Sequence, residues 1–158
     1  MILNGTGGAN TQSGKCFEIQ TDLKSNLINL GINVSDVIFC NQRDFPKMMK
    51  AAGYNMKEIF GKEFWPDEAF IYNNHLYVIE KKYQSGNGSV DEKIQTGPYK
   101  KNIYDECARL LNLNGNSYMY LLSDYFNINK YTKHQIPYLL ANGIEVYFEN
   151  IPVEKLFA

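Results

Sequence analysis

Two β-rich runs dominate what this chain can fold into. Ala69-Phe70-Ile71-Tyr72 and Leu76-Tyr77-Val78-Ile79 are separated by little more than Asn73-Asn74. Asn accepts positive φ more readily than most residues, so the pair suits a tight reversal and the segment predicts a β-hairpin. The hairpin then fixes what lies at its open end. Asp67 stands six residues before Asn73, and Glu80 stands six after Asn74. Antiparallel pairing about that turn sets Asp67 and Glu80 nearly opposite one another. Side chains alternate along a strand, so Glu80 and Lys82 face one side and Lys81 the other. Two carboxylates and an ammonium are thereby brought together.

The flanking segments alternate between helical and extended patterns. Gly5 to Asn10 reads as a loop or arm. Ser13 then stands as an N-cap, and Cys16, Ile19, Leu23, Leu27 and Leu30 follow as an inward apolar stripe of one helix that Gly31 ends. Val37-Ile38-Phe39-Cys40 predicts a short buried strand. Pro46 to Phe60 predicts one or two short helices broken near Gly53. Beyond the hairpin, Gly86-Asn87-Gly88 makes a loop, and Ser89 with Glu92 has the spacing of a capping box. Gly97-Pro98 interrupts the helix that follows, before Tyr99 to Leu113 continues it. Tyr118 to Leu122 predicts a strand, Thr132 to Ala141 a short helix around Pro137, and Ile144 to Phe148 a last strand. The order predicts an α/β fold, a mixed central sheet flanked by helices, in a single domain over 1–158.

Composition excludes several classes. The 12 Tyr, 9 Phe and 1 Trp supply a real core, which rules out disorder as the dominant state. No apolar run approaches the roughly 18–20 residues of a membrane span, and Met1 to Asn10 carries no secretory pattern. No membrane association is expected. Cys16, Cys40 and Cys107 are odd in number and form no C-x-x-C pair. Buried free thiols in a reducing cytoplasm are expected, rather than a disulfide framework or structural zinc. The net charge of −1 is not that of a typical nucleic-acid-binding domain, yet a nuclease builds its metal site from carboxylates.

The chemistry of the convergence is definite. Adjacent carboxylates repel unless a cation neutralises them. An all-oxygen set favours a hard cation such as Mg2+, with Mn2+ able to substitute. A cation held this way polarises a phosphodiester and lowers the pKa of bound water. Lys82 is placed to position that water and to stabilise developing negative charge. His75 and His134 lie apart from any Ser or Cys motif, so no nucleophile triad is indicated.

Pro66-Asp67, then twelve residues, then Glu80-Lys81-Lys82 resembles the motif of the PD-(D/E)XK nuclease superfamily. Gly14-Lys15-Cys16-Phe17-Glu18 is similar to that superfamily's N-terminal helix. Gln84 and Gly88 to Lys93 are similar to the segment after the catalytic strand in some type II restriction endonucleases. Tyr138-Leu139-Leu140, Asn142-Gly143-Ile144 and Tyr147 to Pro152 are similar to the closing helix and strand. The resemblance implies a restriction-endonuclease-like fold and Mg2+-dependent hydrolysis of DNA to 5′-phosphate ends. It implies Asp67, Glu80 and Lys82 as catalytic residues. The implied metal ligands are Asp67, Glu80, the Lys81 backbone carbonyl and Glu18. A homodimer on a palindromic duplex would cut both strands most simply. A junction resolvase, a repair or nicking nuclease, and a DNA-binding module without cleavage are the alternatives.

Basic residues suggest where a duplex would lie. Lys47 and Lys50 fall in a locally basic segment before the hairpin, and Lys93, Lys100, Lys101 and Lys133 follow it. With Gln84 and Ser89 they are candidate DNA contacts, mostly to phosphates. The ordinary alternative is a solvated charged surface.

Overall fold

The computed structural model describes residues 7–86 and 90–157, with side chains over 14–86 and 92–157. Ser89, and with it the capping-box reading, lies outside the described residues, as do Asn87 and Gly88. The helices are α1 (Gly7–Gln20), α2 (Leu23–Asn29), α3 (Asp44–Ala51), α4 (Met56–Phe60), α5 (Val90–Ile94), α6 (Gly97–Leu110), α7 (Ile136–Ala141) and α8 (Glu154–Phe157). The strands are β1 (Ile38–Phe39), β2 (Glu68–Tyr72), β3 (His75–Lys82), β4 (Asn116–Leu122) and β5 (Glu145–Phe148).

The strands form one five-stranded sheet in the order β1-β2-β3-β4-β5. The first two pairings are antiparallel and the last two parallel, so the sheet is mixed as expected. The hairpin turns at Asn73 and Asn74, whose φ values of 49° and 58° are the left-handed pair that a two-residue reversal needs. β3 lies at the centre of the sheet and is covered on both faces. On one face Val78, Tyr118 and Tyr120 pack with Phe45 and Met49 of α3 and Tyr104 of α6. On the other, Phe70, Ile79 and Met119 pack with Phe17 of α1 and Leu27 of α2. This two-sided burial is why Leu76 to Ile79 reads as a continuous apolar run rather than an alternating one.

Gly97 opens α6 where the helix comes closest to the sheet. A Cβ there would sit 2.9 Å from Tyr120 Cε2 and 2.9 Å from Ile144 Cδ1. Glycine and the following Pro98 thus start a new helix, as the sequence suggested.

Several local expectations change. α1 begins at Gly7, inside the segment read as a loop, and Ser13 lies within the helix rather than at its cap. Glycine in a helix costs only about 1 kcal/mol relative to Ala, so it weakens a helix without forbidding it. The single helix expected up to Leu30 is instead two. Asp22 ends the first and caps the second, accepting the Ser25 N–H at 2.9 Å. This break rotates the second helix against the first, so one 3.6-residue stripe does not run through both. Phe17, Leu23 and Leu27 are buried, whereas Cys16, Ile19 and Leu30 are exposed. Cys40 and Cys107 are the buried thiols. The Val37 to Cys40 segment contributes only a two-residue edge strand, with Ile38 exposed. Helix α8 had no clear signal. It docks Leu156 into the core and stacks Phe157 on Phe70, with ring centroids 5.3 Å apart. Among the described residues, no helix is long and apolar enough to cross a membrane.

Candidate active site

The hairpin register brings the expected residues together. Its last paired residues at the open end are Glu68 and Ile79, so the next positions outward are Asp67 and Glu80. Pro66 has no N–H to continue the ladder. Asp67 continues it with its side chain, Oδ2 accepting the Lys81 N–H at 2.7 Å. The strand pairing itself therefore fixes the Asp67 carboxylate. Gln42 supports it from the β1 side. Its N–H donates to the Pro66 carbonyl at 2.8 Å, and its Nε2 approaches Asp67 Oδ1 at 3.4 Å. Gln42 holds a left-handed φ of 52° to do so, an uncommon conformation for a residue with a Cβ.

Lys82 bridges the two carboxylates. Its Nζ lies 3.6 Å from Glu80 Oε2 and 3.9 Å from Asp67 Oδ2. A second ammonium, Lys100 of α6, lies 3.8 Å from the same Glu80 oxygen. The side chain of Glu80 is 5% exposed, against 20% for Asp67 and Lys82. Burial pushes the Glu80 carboxyl above its ordinary range, and the Asp67 charge pushes it further. Lys82 and Lys100 pull the other way. These ion pairs are longer than the roughly 2.7–2.9 Å of a direct charge-assisted hydrogen bond. Glu80 and Asp67 together thus present oxygens that a compact cation could draw in, and the donor set fits a hard divalent ion. Among the described residues, no three His, Cys, Asp or Glu side chains gather at one point. The carboxylate contribution is the pair, and Mg2+ commonly takes one or two carboxylates with water completing its shell.

Lys81 faces away, as alternation requires. Its Nζ lies 3.0 Å from Glu68 Oε2, and both side chains are buried. Glu68 Oε1 also accepts the Leu23 N–H at 2.7 Å, at the start of α2. Lys81 Nζ donates to the Glu18 carbonyl at 3.3 Å, in the last turn of α1. Anion at a helix start and cation at a helix end is the arrangement that helix dipoles favour. This pair holds α1 across the open end of the hairpin. The Glu18 side chain is exposed and borders a cleft of about 440 Å³ that also contains Asp67, Asp22 and Glu68.

The other candidates scatter. Lys47 and Lys50 are exposed on α3, where Lys47 pairs loosely with Asp44 at 3.8 Å. Lys101 is held by Asp105 at 2.7 Å along α6. Lys133 is exposed in a π-helical turn, Tyr131–Gln135. Gln84 is buried, and its main chain exchanges hydrogen bonds with Ser123 Oγ at the end of β3. Lys93 is exposed on α5 near Lys82 and Lys15, with which it lines one groove.

Three features were missed. Glu68 could have been found, because the alternation that pairs Asp67 with Glu80 also sends Glu68 to the Lys81 side. Lys100 is a candidate DNA contact by sequence, and its approach to Glu80 depends on how α6 packs. Gln42 carries no sequence signal for its role. Compared with protein-family models, curated proteins and solved structures, the chain matches none of them. What can be said of function is carried by the arrangement of Asp67, Glu80, Lys82 and Lys100.

Proposed function

We propose that this protein is a metal-dependent DNA endonuclease of the PD-(D/E)XK type, acting as a type II restriction enzyme. The observation that supports this most is the joint position of Asp67, Glu80 and Lys82 at the end of a buried hairpin, with the Glu80 carboxyl raised by burial and by Asp67. Asp67 and Glu80 would hold Mg2+, with the Lys81 backbone carbonyl as a further oxygen donor and Glu18, at the edge of the cleft, reaching it only through water. When bound, Mg2+ supplies Lewis-acid polarisation of the phosphodiester and a more acidic water.

This chain's own groups do the rest. Asp67, anchored by the Lys81 N–H, keeps its carboxylate in place without reorganisation. Lys82, between the two carboxylates, orients the attacking water and balances negative charge on the phosphorane-like transition state. Water attacks phosphorus in line, the P–O3′ bond breaks, and the products carry 3′-hydroxyl and 5′-phosphate ends. Two copies on a palindromic site would cut both strands of a duplex.

The test is digestion of a plasmid and of a phage genome with Mg2+, followed by sequencing of the ends. Discrete fragments with one end sequence are expected. A smear, or preference for branched DNA, would point to another nuclease role, and inertness with Mg2+ and with Mn2+ would end the proposal.

A further inference from the structure

Helix α1 divides the surface beside the candidate site into two clefts of opposite character. One, of about 440 Å³, is bordered by Glu18, Asp22, Asp67 and Glu68. Its lysine, Lys81, is buried against Glu68 and lends it no uncompensated positive charge. The other, of about 430 Å³, is bordered by Lys15, Lys82, Lys93 and Tyr83, with Glu18 at the shared edge. Lys15 and Lys93 are exposed, and among the described residues neither is held by an ion pair to a carboxylate. Tyr83 is half-exposed, its ring 5.8 Å from Phe17, so an aromatic wall stands beside the three ammonium groups.

We infer that the second cleft is a binding site for the phosphodiester backbone of a nucleic-acid strand, entered from the α1–α5 side and leading over Lys82. Lys15 and Lys93 contact phosphates on either side of the groove, and Tyr83 offers a flat surface to a sugar or base. The acidic cleft repels the same strand and leaves Asp67 open to a cation from the opposite side. A strand laid this way meets Lys82 first and the carboxylates beyond it, the order in which a phosphate can approach without facing Glu18, Asp22 and Glu68 together. Nothing in the neighbourhood of Lys15 along the chain marks it. The groove forms because α1 crosses the hairpin end, held there by Lys81 and Glu68.

The inference rests on the nuclease reading, since Lys82 serves both. The experiment separates them. Binding of a fluorescently labelled 30-base-pair duplex of arbitrary sequence is measured by anisotropy in EDTA across a salt series, so that cleavage plays no part. Lys15→Ala and Lys93→Ala should each reduce the slope of log affinity against log salt by about 1, and the double variant by about 2. Lys15→Glu/Lys93→Glu should weaken binding by about tenfold or more at moderate salt. Ser25→Lys, which adds a cation to the acidic cleft, should leave affinity within about twofold. All three side chains are exposed, and unchanged circular dichroism and melting confirm that the variants fold. Unchanged slopes in the double variant, tighter binding by Ser25→Lys alone, or no binding by the wild type would overturn the inference. Wild-type cleavage with Mg2+ is scored separately. Cleavage with unchanged slopes keeps the nuclease and removes the groove. Groove-dependent binding without cleavage does the reverse.

Discussion

Two carboxylate–lysine sets sit back to back on one hairpin, one residue out of phase. Asp67, Glu80 and Lys82 face the α6 side, and Glu68 and Lys81 face α1 and α2. Both join carboxylates to a lysine, and their surroundings differ. In the second set the charges meet at 3.0 Å and the remaining valences go to helix ends, at Leu23 N–H and the Glu18 carbonyl. In the first the separations are 3.6–3.9 Å, and two lysines share one oxygen of Glu80. Burial pushes both Glu68 and Glu80 upward. After burial, the strongest influence on Glu68 is the opposite charge of Lys81, whereas on Glu80 it is the like charge of Asp67. One set, the closed one, is a direct buried pair, and in the other, the open one, two carboxylates and two lysines meet only at longer range. Motif letters alone cannot make that distinction, because E-x-K counts Lys81 as filler.

The largest expected effect is on the open set. Asp67→Asn, Glu80→Gln and Lys82→Met each keep approximate size and remove charge. Each should lower cleavage by about 100-fold to 1,000-fold, as removal of one group that stabilises a transition state does. Melting temperature should stay within a few degrees of wild type. Asn at 67 keeps an oxygen for the Lys81 N–H, so a collapse of the fold is not expected. Supercoiled-plasmid cleavage and a thermal melt check each variant. Cleavage near wild type in any of the three would remove that residue from the chemistry.

The closed set should answer in stability instead. Lys81→Met strands Glu68 as a buried, unpaired carboxylate, a change worth about 3–5 kcal/mol. For a chain of this size that lowers the melting point by roughly 6–20 °C, at about 2–4 °C per kcal/mol. Lys81→Met combined with Glu68→Leu should recover much of the loss, because an apolar pair of similar volume replaces a buried ion pair at little cost. Lys81 points away from the site, so its direct effect on cleavage chemistry should be small when measured in the folded fraction. If Lys81→Met melted like wild type, the closed set would not be closed.

What was legible in the sequence follows the range of the interactions. The hairpin, its Asn73-Asn74 turn and the facing of Asp67 with Glu80 are set within sixteen residues by a period of two, so local pattern sufficed. The break between α1 and α2 was missed because Asp22 competes with a helical stripe that runs on either side of it, and a cap is a side-chain decision rather than a periodicity. Lys100 stands eighteen residues beyond Lys82, and its approach to Glu80 depends on α6 seating Gly97 against Tyr120. No spacing rule carries that. Glu68 sits between the two cases. Its facing was readable, but its partnership with two helix ends was not.

pH separates the two sets more gently. A carboxyl whose folded pKa is raised binds more protons folded than unfolded between the two values. Folding stability is then greatest below the ordinary Glu range and falls as pH rises through the raised value. Both Glu80 and Glu68 have this sign. In EDTA, wild type should therefore lose stability as pH rises from about 4.5 toward neutrality. Glu80→Gln should flatten that loss while keeping the Lys81 pair intact, and urea titrations at several pH values measure it. An equally steep loss in Glu80→Gln would assign the effect elsewhere.

The smallest effect is expected at Glu18, which belongs to neither set and touches the edge of both. Its carbonyl is bound by Lys81, so the closed set fixes its main chain. Its side chain is exposed and borders the cleft that Asp67 also lines. A carboxylate so placed adds negative charge to the surroundings of a cation without being buried beside it. Glu18→Gln keeps size and the helix and removes only that charge. Cleavage at low Mg2+ should fall a few-fold, and raising Mg2+ should recover it, because weakened cation binding is offset by concentration. The recovery separates this role from a contact to DNA, whose loss extra Mg2+ would not repair and would worsen by screening phosphates. Equal cleavage by Glu18→Gln and wild type at every Mg2+ concentration would leave Asp67 and Glu80 as the carboxylates of the site, with α1 serving only to divide the two clefts.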